Sequence, residues 1–229
     1  MTKLVLIRHA TNDWVRKGRL AGWTPGVHLN EEGRAQAEAL GQRLATAQLD
    51  AVYSSPLERA LETARAVAAP HGLEVQIHKG IGEVRYGEWD GRSIRDLAKK
   101  PLWRSAQICP SVTRFPKGES IGEMQARVVS ALDEIRSAHL KGIVAAVAHA
   151  DVIKAAVAFY IGAPLDLFQR LAVSPASVTV VSFDPFGPRL LRLNDVGELK
   201  LEQEQPSKPR RHKRGQKMTR LLGPHLSRR

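Results

Sequence analysis

Two uninterrupted apolar runs, each closed by a histidine, constrain the fold of this chain more than any other feature. Leu4–Ile7 leads into Arg8 and His9, and Ile143–Ala148 leads into His149. A short run that is apolar at every position is a strand covered on both faces, as in parallel sheets flanked by helices. The rest of the chain alternates to match. Lys3–Arg8, Asp50–Tyr53, Leu73–His78 and Ile143–Ala148 read as strands, and Val178–Phe183 and Leu190–Leu193 as a pair joined by the turn-rich Asp184–Pro188. One helix is expected at about 31–47 behind Asn30 as N-cap, and another, opened by a Ser55-Pro56-Leu57-Glu58 capping box, running to about Ala69. Two more are expected from Ser120-Ile121-Gly122-Glu123 onward and at about 151–161. The first of these carries Ile121, Met124, Val128, Leu132 and Ile135 on one face. The pattern predicts an α/β fold with a doubly wound, mostly parallel central sheet of about six strands and helices on both faces. Residues 10–29 and 79–118 read as irregular, apart from a short helix near 93–99.

The chain has 229 residues, 43% of them hydrophobic, which suits one α/β domain of ordinary size. Its one cysteine, Cys109, excludes an intrachain disulfide and fits a reducing compartment. The N-terminal apolar run is too short for a signal peptide or a membrane span. A cytoplasmic protein without membrane insertion is therefore expected. The net charge of +12 is uneven. From Gln205 to Arg229 there are nine Lys and Arg and no acidic residue, which leaves +3 for residues 1–204. The domain is accordingly placed at 1–202 and a basic tail at 203–229. A solvated, disordered tail is the favoured expectation, and a tether to nucleic acid or an anionic membrane the alternative.

If the two histidine-ended strands are parallel, both imidazoles leave the same edge of the sheet, where ligands of such folds bind. A third strand ends at Tyr53-Ser54-Ser55, and the helix after it carries Arg59 in its first turn. Free N–H groups at a helix start attract anions, and the guanidinium forks of Arg8 and Arg59 suit phosphate. Each feature alone has an ordinary explanation, as a structural histidine or a solvated arginine. Their coincidence at one edge points to an anion pocket. Zinc is the other use of paired histidines, but the arginines would repel a divalent cation and no third ligand stands at a suitable spacing. Neither a metal nor a cofactor is expected.

Arg8-His9-Ala10-Thr11 resembles the Arg-His-Gly signature of the histidine phosphatase superfamily, the phosphoglycerate mutase-like proteins. Leu29–Ala37, Ser54–Ala60 with Thr63-Ala64, Glu83–Gly91 and Val147–Lys154 resemble further segments of that family, in its order. Asp166–Arg170 followed by Ser174–Val178 is similar to a bacterial subgroup of probable phosphomutases. The resemblance implies that His9 attacks phosphorus and becomes a phosphohistidine. It implies that Arg8, Arg59, His149 and Asn12 hold the phosphoryl oxygens. Glu83 would protonate the leaving alcohol and then deprotonate water. Four positions depart from the pattern. Ala10 replaces a glycine, Thr11 an acidic residue, Val15 an asparagine, and Ala150-Asp151 a glycine pair. A positive φ at Ala10 would be strained.

The implied activity is metal-independent hydrolysis of a small phosphorylated metabolite. A phosphomutase is the alternative, disfavoured because the stretch between Glu83 and His149 is compact where mutases carry a longer shielding insertion. A non-catalytic binding protein with a nucleic-acid-tethering tail is a third reading. Glu88 and Asp90 rival Glu83 as the acid. Trp14, Trp23, Tyr86 and Trp89 are expected to pack, while Arg16, Lys17, Arg19 and Arg85 are candidates to meet an anionic substrate. Loops 10–28 and 84–118 are expected to select the substrate, and no sequence feature specifies an oligomeric state.

Overall fold

The structure, a computed structural model, describes residues 1–197. The expected basic tail, and its boundary with the domain, lie outside the described residues. Six strands form one sheet: β1 (Thr2–Arg8), β2 (Ala51–Ser54), β3 (Val75–Ile77), β4 (Ile143–Ala148), β5 (Val178–Asp184) and β6 (Gly187–Asp195), in the order β3-β2-β4-β1-β5-β6. The pairings β3–β2, β2–β4 and β4–β1 are parallel, whereas β5 runs antiparallel to β1 and β6 antiparallel to β5. Seven α-helices occur among the described residues: α1 (Asp13–Arg16), α2 (Glu31–Leu44), α3 (Glu58–Ala68), α4 (Ile94–Leu97), α5 (Pro101–Ile108), α6 (Ile121–Ala138) and α7 (Ala150–Tyr160). None among the described residues is long and apolar enough to cross a membrane.

The continuous apolar character of β1 and β4 follows from two cores. Leu4, Leu6, Val144, Ala146 and Ala148 pack on one face against α6 and α7, through residues such as Met124, Val128, Val152 and Ala156. Val5, Ile7, Ala145 and Val147 pack on the other against α2 and α3, through Leu40, Ala60, Ala64 and Val67. Successive strand residues point to opposite faces, so both sets must be apolar. Helix α6 opens as expected, with the reciprocal Ser120–Glu123 capping box formed, and all five of its anticipated core residues are buried. Asn30 caps α2 by accepting from the Gly33 N–H.

Some expectations fail for physical reasons. The capping box expected at Ser55 does not form. Helix α3 begins at Glu58 behind Leu57, with no side-chain cap; the Ser55 hydroxyl bonds His149 at 2.8 Å and accepts only a long 3.4 Å contact from the Leu57 N–H. Two helices, α1 and α5, occupy stretches read as irregular. Helix α5 is held by tertiary contact, its Trp103 stacking on Trp89 with ring centroids 6.2 Å apart.

Helices α2 and α3 approach closely at Gly41, where an added Cβ would lie 2.3 Å from the Ala66 carbonyl oxygen. Gly41→Ala should gain up to about 1 kcal/mol of helix propensity. It should lose about 1–3 kcal/mol to overpacking against rigid backbone. The clash is expected to win, so urea denaturation should show a lower midpoint with an unchanged slope. An unchanged or higher midpoint would refute the close approach.

Candidate active site

Register fixes the centre of the site. Arg8 of β1 pairs with Ala148 of parallel β4, and the His9 N–H donates to the Ala148 carbonyl at 3.0 Å. The next residue on each strand is a histidine, so the imidazoles emerge side by side, ring centroids 5.2 Å apart. Both are buried, His9 at 4% exposure and His149 at 0%.

Each ring is held through one nitrogen. His9 Nδ1 lies 2.8 Å from the Ala10 carbonyl oxygen. A carbonyl only accepts, so this assigns the proton to Nδ1 and the free lone pair to Nε2. His149 Nε2 lies 2.8 Å from the Ser55 hydroxyl. The departure at Ala10 carries no strain, since its φ is not positive. Its N–H donates to Thr63 Oγ1 at 3.0 Å, and that hydroxyl donates to the Arg59 carbonyl at 2.8 Å.

Arg59 reaches between the rings from the first turn of α3 and is 1% exposed. Its Nε donates to His9 Nε2 at 3.3 Å, and its Nη2 donates to the Gly22 carbonyl at 2.8 Å. The same Nη2 is 3.5 Å from His149 Nδ1 and 4.0 Å from Glu83 Oε2. Arg8 donates through Nη1 to the Val173 carbonyl at 2.7 Å. Asn12 caps α1, its Oδ1 accepting from the Trp14 and Val15 N–H groups, which assigns its amide nitrogen to the opposite side.

Glu83 stands 3.6 Å from His149 Nδ1, with its side chain 13% exposed. Its segment is clamped by groups that the sequence did not reveal. Arg127 donates to the carbonyls of Gly80 (2.7 Å), Gly82 (3.0 Å) and Glu83 (3.3 Å), while pairing with Glu119 at 2.6 Å. Trp23 Nε1 donates to the Glu83 carbonyl at 2.7 Å. Neither rival acid lines the cavity that Glu83 lines: Glu88 pairs with Lys117 at 3.0 Å, and Asp90 packs against Gly22. Trp89 and Tyr86 are core residues, as expected. Of the four candidate basic residues only Arg19 reaches the cavity, stacked over Trp14 and held by the Gly91 carbonyl.

Burial sets the protonation states. Desolvation, reinforced by Arg59 and Arg8, holds the His9 pKa well below its ordinary value, so its imidazole is neutral. Desolvation and Arg59 do the same to His149. Desolvation raises Glu83 to about 7, against the opposing pull of Arg59.

Arg8, His9, Asn12, Arg59, Glu83 and Ala150 of the α7 N-terminus border one cavity of about 310 Å³. Three buried donors on these residues, Arg8 Nε, Asn12 Nδ2 and Arg59 Nη1, have no hydrogen-bond partner among the described residues. Buried donors are nearly always satisfied, and three open ones on residues of one cavity lining are suited to an oxyanion. No cluster of three or more His, Cys, Asp or Glu suited to a metal ion occurs among the described residues.

Inorganic phosphate should therefore stabilise the protein, by about 2.7 kcal/mol at a hundred times its Kd. Arg59→Met should remove that shift in melting temperature. A variant still stabilised equally by phosphate would place the anion site elsewhere.

Comparison with known proteins bears on the family and the fold. The sequence profile of the histidine phosphatase superfamily (branch 1) matches residues 4–196. Phosphoserine phosphatase 1 of Hydrogenobacter thermophilus is 32% identical over 207 residues, covering 88% of this chain and 98% of its own. A probable phosphoglycerate mutase of Erwinia tasmaniensis is 29% identical, over 79% of this chain and 85% of its own. Among solved structures, mycobacterial glucosyl-3-phosphoglycerate phosphatase in complex with VO3 superposes with a TM-score of 0.78 at 27% identity, covering 84% of this chain and 99% of that one. A sequence match across nearly the whole described domain, and a shared fold, establish that the chain belongs to the histidine phosphatase superfamily.

Proposed function

We propose that this chain is a phosphomonoesterase that hydrolyses a small phosphorylated metabolite through a phosphohistidine on His9. The observation that carries the reading is the meeting of a buried imidazole, its Nε2 lone pair free of a proton, with three unpartnered donors at one cavity. A phosphomonoester dianion resists attack until its oxygens are neutralised and a nucleophile is aligned. Arg8, Arg59, Asn12 and His149 would bind those oxygens, and His9 Nε2 would attack phosphorus in line. The N–P bond forms as the P–O bond to the alcohol breaks. The proton on Nδ1 stays hydrogen-bonded to the Ala10 carbonyl, which stabilises the imidazolium-like phosphoenzyme. Protonated Glu83 gives its proton to the leaving oxygen. The resulting carboxylate takes one from water as that water attacks the phosphohistidine, which restores both residues.

Relatives support the chemistry: Phosphoserine phosphatase 1 of Hydrogenobacter thermophilus and the mycobacterial glucosyl-3-phosphoglycerate phosphatase are both named as phosphatases. Other relatives are named phosphoglycerate mutases. Mutase action is the second reading. The free, exposed thiol of Cys109 fits the cytoplasm, which is part of this proposal.

The test of the main reading is incubation with 3-phosphoglycerate and a bisphosphoglycerate primer, beside p-nitrophenyl phosphate. Release of inorganic phosphate is expected. Isomerisation to 2-phosphoglycerate without release would favour the mutase. The pH dependence is a second check. Because Glu83 is raised to about 7, its acid form is present below that pH and lost above it. For an alkyl phosphate, kcat/KM should fall above about pH 7. Glu83→Gln should abolish that limb and lower the rate by about 10²–10⁴-fold. Hydrolysis of p-nitrophenyl phosphate, whose leaving group needs little protonation, should suffer much less. Equal losses on both substrates would take Glu83 out of the acid role.

A further inference from the structure

One residue of the cavity has a charge that phosphate binding does not explain. Asp151 lies in the first turn of α7, two positions beyond His149, and lines the same cavity as Arg8, Arg59 and Glu83. A carboxylate on the wall of a phosphate site repels the ligand, and in a partly desolvated cleft that repulsion is weakly screened. Its position is fixed by two neighbours. Tyr86 Oη donates to Asp151 Oδ2 at 3.3 Å, from a segment 65 residues distant. Lys154 Nζ donates to Asp151 Oδ1 at 3.2 Å and to Gln169 Oε1 at 3.0 Å. Asp151, Tyr86 and Gln169 border the cavity, whereas Lys154 does not.

Resting on the phosphomonoesterase reading, we propose that Asp151 is a specificity-determining residue, its carboxylate selecting phosphomonoesters whose alcohol carries an ammonium group. The cavity is lined by two kinds of group. Arg8, Arg59, Asn12 and His9 offer donors and an imidazole to a phosphoryl group, while the Asp151 carboxylate stands on the same lining beside Tyr86 and the apolar walls of Leu20, Ile94 and Trp103. With Glu83 protonated for catalysis, Asp151 is the anionic group among the residues bordering the cavity. A substrate with a phosphate and a cation a few bonds apart matches both kinds of group and turns the repulsion into attraction. A substrate with a methyl in place of the ammonium forgoes that attraction and leaves the carboxylate with Lys154 and Tyr86 alone.

The simpler role for Asp151 is to complement the positive end of α7 and to pair with Lys154 along the helix. That role makes no difference between substrates, so a substrate ratio separates the two. O-phosphoethanolamine and n-propyl phosphate differ by an ammonium against a methyl of similar size. The wild-type protein should prefer the amine by about ten-fold or more in kcat/KM, the ratio that about 1.4 kcal/mol of differential binding produces. Asp151→Asn, which keeps the shape and loses the charge, should bring the two substrates level. Asp151→Glu, which restores a carboxylate, should recover part of the preference. Equal use of both substrates by the wild type overturns the proposal, as does an Asn variant with the wild-type ratio. If the Asn variant does not fold, the wild-type ratio decides. With p-nitrophenyl phosphate assayed in parallel, hydrolysis of that substrate without amine preference defeats only the specificity. Hydrolysis of none of the three defeats the phosphomonoesterase reading itself.

Discussion

The site is organised by a guanidinium buried without a tight carboxylate partner. Arg59 is 1% exposed, and its nearest acidic oxygen, on Glu83, is 4.0 Å away. Burying a charge so loosely paired is costly. Three features offset part of that cost: the Gly22 carbonyl, the His9 lone pair, and the long contact to His149. None is an anion, and Arg59 Nη1 remains without a partner among the described residues. In the proposed reaction an incoming phosphoryl group would complete its coordination. This is the arrangement expected when charge stabilisation is built in advance of the reaction.

The same burial sets the proposed nucleophile and acid in the forms the proposed chemistry needs. Desolvation disfavours whichever state of a group is charged. For His9 that state is the imidazolium, so the ring stays neutral and nucleophilic. For Glu83 it is the carboxylate, so the proton stays on until about pH 7. One property of the cavity thus suits His9 to nucleophilic attack and Glu83 to proton donation in the proposed reaction. The clamp of Arg127 and Trp23 on the backbone around Glu83 keeps that carboxyl in place.

Much of this was legible in the sequence, because the strongest signals were also the most local. Continuous apolar runs identified β1 and β4, and helical spacing identified α6. The parallel register then brought His9 and His149 together as the fold rule anticipates. The resemblance to the family brought in Glu83, which no local pattern would have singled out. What escaped was tertiary. Ser55 looked like a helix cap, yet it serves His149. Arg127, to which the helical pattern gives no role, holds the acid segment through contacts 44–47 residues away. Helix α5 has a weak internal pattern and depends on Trp103 packing against Trp89. The strain anticipated at Ala10 is absent because the chain passes that position without a positive φ.

The central claim, that His9 carries the phosphoryl group, is tested most directly by quenching the reaction with base in its first turnovers. Phosphohistidine survives alkali, so the protein can then be digested and mapped by mass spectrometry. The account predicts a phosphate on the peptide containing His9, formed before product accumulates and absent from His9→Ala. Steady hydrolysis by the wild-type protein with His9 unmodified throughout, or a phosphate on His149 instead, would contradict it.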